Sequence, residues 1–446
     1  MTDRLRDPAP VEDTSGYPRR SYAWCVVAIL IATAIVSYTD RQVLSLLVDP
    51  VRRDLGISDT QISLLLGTAF AVIYGIAGIP FGMLADRTSR RNLIFFGVVV
   101  WSLGTVGCGY AHSFGQLFAA RIVVGLGESV LSPAAISLIS DYFPPSRRGM
   151  AVGCFLSGIA IGIGASILIG GGVLHLVEAG AMVGTPLASL APWRLVLLLI
   201  GAPGLAWSLM ILLIREPVRR FNEAGAVPDA AVPTRRTTLY AVAPIYFVVA
   251  MASLVDNAVG AWAPTLLIRN FGRDPAQVGL QLGLLLTIAF GGGVLLGGWL
   301  SDLVGGGIGR WMRKLGVCLV SSLAILPVSL AIDSSQLEIV MAAVPLYFAL
   351  SGVVTACGFS SILDAIPNSQ RGFAMAVSFF LNVAVGAGLG PTSVALASAH
   401  IFGAAAGLAP AIAFIAGLGY VLAAAALVLA FTVFNLAQRP HRGFVQ

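Results

Sequence analysis

The chain has 446 residues, 57% of them hydrophobic and only 11% charged, with a mean hydropathy of +0.89. Soluble domains carry about 25% charged residues, so the composition excludes a water-soluble globule. The net charge of +6 rests almost wholly on arginine, Lys314 being the only lysine. The basic residues sit in short segments between apolar runs, as membrane orientation requires and as nucleic-acid binding does not.

Residues 1–21 read as a polar tail, with no cleavable leader because no A-x-A site follows the first apolar run. The first span covers about Tyr22 to Val48 and is interrupted by Ser37-Tyr38-Thr39-Asp40-Arg41-Gln42, a patch that a simple anchor lacks. The second, about Thr60 to Met83, is entered through Ser58-Asp59-Thr60-Gln61, the pattern of a helix N-cap. A basic loop with Asp86, Arg87, Arg90 and Arg91 leads to spans at about Leu93–Tyr110, Gln116–Ser140, Met150–Leu174 and Trp193–Ile214. The fifth carries Gly158 and Gly162 at GxxxG spacing and a Gly170-Gly171-Gly172 run, which predicts close backbone packing.

Residues 215–237 hold five arginines and read as a linker. Spans seven to twelve follow at about 238–268, 276–302, 311–331, 337–360, 372–397 and 408–435, and residues 436–446 form a basic tail. Each run is close to the ~20 residues that cross ~30 Å of hydrocarbon. The predicted fold is therefore all-α and integral to a membrane: twelve transmembrane helices in two six-helix bundles, 22–214 and 238–435. With this topology 20 basic residues fall on the side of the N-terminus and 5 on the other, which predicts that both termini are cytoplasmic.

The halves repeat one another. Asp141-x-x-Pro144-x-Ser146-x-Arg148-Gly149-x-Ala151 recurs at an offset of 223 as Asp364-x-x-Pro367-x-Ser369-x-Arg371-Gly372-x-Ala374. Gly82-x-Leu84-x-Asp86 recurs more weakly as Gly298-x-Leu300-x-Asp302. A six-span unit duplicated in one orientation is a transporter architecture, with the path between the halves at the bilayer midplane. Arg121 and Glu128 lie about two turns apart on one face of the fourth span. A charge in an apolar helix costs roughly 2.5 kcal/mol or more on insertion scales, so this pair is expected to face a partner helix or a water-filled path.

Two motifs carry a family resemblance. Gly82-x-x-x-Asp86-Arg87-x-x-Arg90-Arg91 resembles the signature loop of the major facilitator superfamily, with Ser89 where that family usually has a second glycine. Arg121-x-x-x-Gly125-x-Gly127-Glu128 resembles its fourth-helix motif. A narrower similarity, to the Spinster-like branch, rests on Tyr38-Thr39-Asp40-Arg41-Gln42 with Leu44-Ser45, on Gly125-Leu126-Gly127-Glu128 with Ser132-Pro133-Ala134, and on Asp141-Tyr142-Phe143-Pro144-Pro145. The resemblance implies a secondary transporter working by alternating access. It further implies a lysophospholipid or sphingoid lipid phosphate as substrate and a proton gradient as energy source. The twin-arginine loops and the lack of an organellar signal fit a bacterial inner membrane, an intracellular eukaryotic membrane being the alternative.

Asp40 and Arg41 are neighbours on a helix and point about 100° apart, so each needs another partner. The expectation is a four-residue network in which Asp40 and Glu128 are carboxylates, Arg41 and Arg121 are cations, and Glu128 is the main proton carrier; a static ion-pair cluster is the alternative. Asp86 with Arg371 and Asp302 with Arg148 are expected to form a gate at the linker side, flanked by Arg87 and Arg91. Tyr38, Tyr74, Asp256, Asn257, Phe379, Phe380 and Asn382 are candidate cavity residues. Charged interior residues concentrate in the first half, and a half-polar, half-apolar cavity suits an amphiphile.

Small organic anions or drugs remain the alternative substrates, with Arg41 and Arg121 as their ligands; a receptor without transport is a further alternative. The four histidines are scattered near span ends or in the tail, and the five cysteines lack metal spacing. No enzyme activity, metal or cofactor is therefore expected, and the expected partners are substrate, proton and membrane lipid around a monomer.

Overall fold

The computed structural model describes residues 17–219, 235–304, 310–366, 371–403 and 407–437. Twelve helices among them are long and apolar enough to cross a bilayer, and they are numbered here as spans 1–12. They are Arg20–Leu46, Asp59–Gly78, Arg90–Gly109, Phe114–Tyr142, Met150–Glu178, Pro192–Leu212, Val242–Phe271, Pro275–Val304, Trp311–Ala331, Leu337–Ala365, Val377–Phe402 and Leu408–Thr432. Helices are the only open elements that satisfy every backbone group inside hydrocarbon, and the sequence supplies their stops. Ser58 and Gln61 form the reciprocal cap that opens span 2: the Gln61 N–H donates to Ser58 Oγ at 3.2 Å and the Ser58 N–H to Gln61 Oε1 at 3.0 Å. Ser89 and Ser113 cap spans 3 and 4, their side chains accepting from the Asn92 and Gln116 backbone N–H groups.

Several spans are not continuous α-helix. Span 1 tightens to a 3-10 turn over Val43–Leu46, and span 2 widens to a π turn over Leu64–Thr68. Span 4 is two helices, Phe114–Glu128 and Leu131–Tyr142. Span 11 widens over Asn382–Ala387 and Ser398–Phe402. Such breaks in membrane helices occur where backbone lines a cavity or is buried in protein.

The two halves meet at the end away from the linker, where glycines let backbones touch. A methyl group on Gly171 of span 5 would fall 2.6 Å from Gly279 Cα of span 8, and one on Gly283 of span 8 would fall 2.7 Å from Leu168 Cα of span 5. Spans 2 and 11 meet through Thr68, whose Oγ1 donates to Gly388 O at 2.9 Å. Spans 1 and 7 meet where Thr265 Oγ1 donates to Ser45 O at 3.5 Å. The seam is closed by Arg269 of span 7, which grips Asp49 and Asp59 of the first half at 2.7 and 2.8 Å. The hydrogen bonds that join described residues of the two halves all lie at this end.

The linker end is organised within each half. Arg90, buried at the start of span 3, pairs with Asp141 at the end of span 4 and with Glu216 at 2.8 Å. In the second half Lys314 of span 9 pairs with Asp364 of span 10 at 2.6 Å. The repeated aspartates of the sequence motif thus hold cations of their own halves. Of the expected gate, Arg148 and Asp302 form no ion pair with each other among the described residues, and Asp302 is exposed. The side chains of Asp86 and Arg371 lie outside the described residues. Arg87 is exposed, and Arg91 donates its backbone N–H to Glu216 at 2.9 Å. Of the expected linker, residues 215–219 lie along this end, with Arg219 donating to Ala85 O at 2.9 Å, and the helix leading into span 7 begins at Arg235.

Burial raises the Glu216 carboxyl, but donation from the Arg91 backbone and from Arg90 and Ser89 outweighs it and holds the group below its ordinary value of 4.5. A depressed carboxylate stabilises the fold fully above its unfolded value and loses that contribution as pH falls through the folded one. Glu216→Gln is expected to lower the unfolding midpoint in detergent at neutral pH by the equivalent of about 1.5 kcal/mol. The difference from wild type should shrink as pH drops below 4.5. A difference that does not change with pH would contradict an ionic role for Glu216.

Candidate transport site

The site is built where three broken helices meet. A break leaves carbonyls without their usual amide partners, and inside a bundle these need other donors. Arg121 of span 4 supplies them. Its Nε donates to Leu65 O at 3.1 Å, in the π turn of span 2. Its Nη1 and Nη2 donate to Asp40 O and Arg41 O, each at 3.2 Å, where span 1 turns from α to 3-10. A planar guanidinium with five donors suits this three-way grip, and a lysine does not.

Arg41 turns the other way. Its Nη2 donates to Glu128 Oε2 at 2.7 Å and its Nε to the same oxygen at 3.3 Å. Glu128 is the last residue of the first helix of span 4, and its side chain is 0% exposed against 11% for Arg41. The guanidinium lies over three rings, 3.9 Å from Phe70, 4.7 Å from Tyr38 and 5.6 Å from Tyr74. Aromatic faces attract a cation and shield it from water, so Arg41 stands at the edge of an aromatic cage with one side accessible. The Tyr74 hydroxyl lies 3.5 Å from Ser132 Oγ across the break of span 4.

The expected four-residue network divides in two. Arg41 and Glu128 pair as expected, but Arg121 holds the backbone of Asp40 and not its carboxylate. Both carboxylate oxygens of Asp40 are buried without a hydrogen-bond partner among the described residues, as is Glu128 Oε1. The physical reason is priority: three carbonyls converge on the donors of Arg121, and the Asp40 carboxylate lies beside it in a crevice with Leu44, Thr105, Cys108, Leu117 and Leu197, near the guanidinium but not hydrogen-bonded to it.

The second-half candidates fall into two groups. Phe70, Ala71 and Tyr74 pack with Val383 and Ala387 of span 11, so the aromatic cage adjoins an apolar wall of the other half. Phe380, half exposed, faces Gly75, where a methyl group would meet its ring at 3.6 Å, and Phe379 stacks on Phe359 at 5.9 Å. Asn257 instead donates to Ser253 O at 2.9 Å within its own helix, and Asn382 contributes its carbonyl to Ser253 Oγ at 3.0 Å. Asp256 accepts hydrogen bonds from Tyr347 at 2.7 Å and Ser351 at 2.5 Å.

Sequence reading missed Phe70, Arg269, Asp49 and Asp59. Phe70 has no signal apart from its place one turn before Tyr74. The charged residues stand near span ends, where solvation is the ordinary expectation.

The major facilitator superfamily profile matches residues 30–391, most of the chain. The chain belongs to the major facilitator superfamily. It is 28% identical to an MFS-type efflux pump of Mycolicibacterium smegmatis, over 85% of each chain. It is 25% identical to a hexuronate transporter of Bacillus subtilis, over 76% of this chain and 80% of that one. Its fold matches the crystal structure of a bacterial homologue of the human lysosomal transporter Spinster, in an inward-facing and occupied conformation. That match has a TM-score of 0.75 and 25% identity, over 94% of this chain and 97% of the other. The Spinster-like resemblance of the motifs is thus matched along nearly the whole chain. This superfamily member is a multi-pass membrane transporter.

If Arg121 serves the broken helices, its replacement must cost fold stability and not merely coupling. Arg121→Lys is expected to abolish transport and to lower the unfolding midpoint in detergent, since each buried carbonyl left without a donor costs about 1–3 kcal/mol. The loss should be the same on both sides of neutral pH. A stable variant whose transport recovers at one pH would instead make Arg121 a member of the titrating network.

Proposed function

We propose that this transporter moves an amphiphile with an anionic head, a lysophospholipid or a sphingoid lipid phosphate, by proton-coupled alternating access. The observation that carries the reading is the placement of Arg41. It is a partly accessible cation, neutralised by a buried glutamate and flanked by an apolar wall from the opposite half. An anionic head would take the place of Glu128 on Arg41, and a chain would lie against Phe380 and Val383. Similarity to a Spinster homologue supports the lipid.

Glu128 and the substrate anion compete for one guanidinium. A proton on Glu128 removes its charge and frees Arg41, so proton and substrate binding reinforce each other. The aromatic cage keeps the freed cation in place for the anion. Asp40, whose carboxylate is buried without a hydrogen bond among the described residues, is costly as an anion and serves as the second proton site in this reading. Protons would then pass between Asp40 and Glu128 as the broken helices shift. In this cycle Arg269 and its two aspartates hold the far end shut while the linker end opens, and on the positive-inside reading that end faces the cytoplasm of a bacterial inner membrane.

A second reading keeps the same machinery with a smaller anion. The similarity to a hexuronate transporter favours it, since a sugar acid also presents a carboxylate to Arg41. Flux of labelled lysophospholipid into proteoliposomes separates the two. Wild type is expected to move the lipid, faster under an inward proton gradient, and Glu128→Gln to lose that acceleration at least tenfold. Lipid flux absent under every gradient, with gradient-driven uptake of a hexuronate, would replace the lipid by the sugar acid. Equal acceleration in Glu128→Gln would remove Glu128 as the proton carrier.

A further inference from the structure

The second half contains a buried acid that the first-half cluster does not reach. Asp256 lies in the middle of span 7, and its Oδ1 is fixed by two hydroxyls of span 10, Tyr347 at 2.7 Å and Ser351 at 2.5 Å. Ser351 Oγ is in turn the acceptor for the Tyr420 hydroxyl of span 12 at 2.8 Å. Tyr347, Ser351 and Tyr420 are fully buried, and Asp256 itself is only partly so. Its Oδ2 accepts no hydrogen bond among the described residues and is not shut off from the surface.

Among the described residues no cation faces this carboxyl. From span 10 it meets Tyr347 and Ser351, from span 12 Tyr420, and on its own helix Asn257, whose amide is bonded to Ser253. Span 9 brings Cys318, bonded to Val354 O, to the neighbourhood of Tyr420. Span 11 meets span 7 through the Asn382 carbonyl and span 1 through Ser45 O, both taken by hydroxyls. The interior basic residues Arg41 and Arg121 are engaged in the first half. A carboxylate buried among apolar helices without a counter-cation is strongly disfavoured, and membrane bundles keep such groups for ion or proton traffic.

We propose that Asp256 is a second proton-binding site, confined to the second half and distinct from the Asp40–Glu128 pair. One oxygen is held by two donors and the other is open, so a proton can arrive and leave at Oδ2 while Oδ1 stays fixed. The hydroxyl chain Tyr420–Ser351 keeps the acceptor geometry the same in both charge states. Each half then carries its own acid. This goes beyond the function proposed above and holds whether or not Glu128 carries a coupled proton.

The test is infrared difference spectroscopy on the purified full-length protein through a pH titration, following the C=O stretch of protonated carboxyl groups. Wild type is expected to lose one such band that is absent in Asp256→Asn and present in both Glu128→Gln and Asp40→Asn. Tyr347→Phe, which removes one donor and leaves the acid, should shift the pH at which that band disappears. This variant keeps the proposal testable if Asp256→Asn fails to fold. Spectra of Asp256→Asn that superimpose on wild type, or a midpoint unmoved by Tyr347→Phe, would overturn the site. A carboxylate signal that responds to sodium or tetramethylammonium at fixed pH, and not to protons, would overturn it in favour of a cation site.

Discussion

The pairing of Arg41 with Glu128 is the constraint around which this protein is arranged. Neither charge is tolerable alone in a bundle of this composition, and together they contribute little stability over an apolar pair. Their retention is understandable if the pair is meant to be broken. The surrounding structure makes that possible. Glu128 sits at the end of a helix segment, Arg41 one residue before the end of another, and both lie at breaks where backbone can rearrange. Arg121 keeps those breaks from collapsing by satisfying carbonyls of two spans at once. One arginine holds the frame, and in the proposed cycle the other carries the exchangeable charge.

The same economy of contact shapes the closed end. Helices in a membrane gain nothing from hiding apolar surface, so association depends on close packing and polar links. Glycines on spans 5 and 8 bring backbones into contact, threonines of spans 2 and 11 add hydrogen bonds, and Arg269 draws two aspartates of the first half to a single guanidinium. At the opposite end the ion pairs among the described residues stay within each half. Arg90 with Asp141 and Lys314 with Asp364 are the two copies of one arrangement, each joining two spans of its own half. Motion between rigid bundles about a closed seam is what alternating access needs.

Much of the fold was legible because hydrophobic runs of membrane length are long and unambiguous. The twelve spans, the Ser58–Gln61 cap and the duplicated aspartate motif could all be read directly. Partnership was harder. The expected four-residue network followed from charge sign alone. It did not foresee that Arg121 gives its donors to carbonyls at the helix breaks, because no sequence pattern announces those acceptors. The expected Arg148–Asp302 pair followed from pseudo-symmetry, which does not say which end of the bundle is closed. Asp256 was visible as an intramembrane acid, but its hydroxyl partners come from a span about 90 residues away, a distance over which residue spacing carries no signal.

The central claim is that substrate anion and proton meet through Arg41 and Glu128. The most direct measurement adds lysophospholipid to the purified protein in weakly buffered detergent and records proton uptake with a pH indicator. The account predicts uptake in wild type, with Glu128→Gln binding the lipid and taking up no proton. Lipid binding to wild type without proton uptake, or the same uptake in Glu128→Gln, would contradict it.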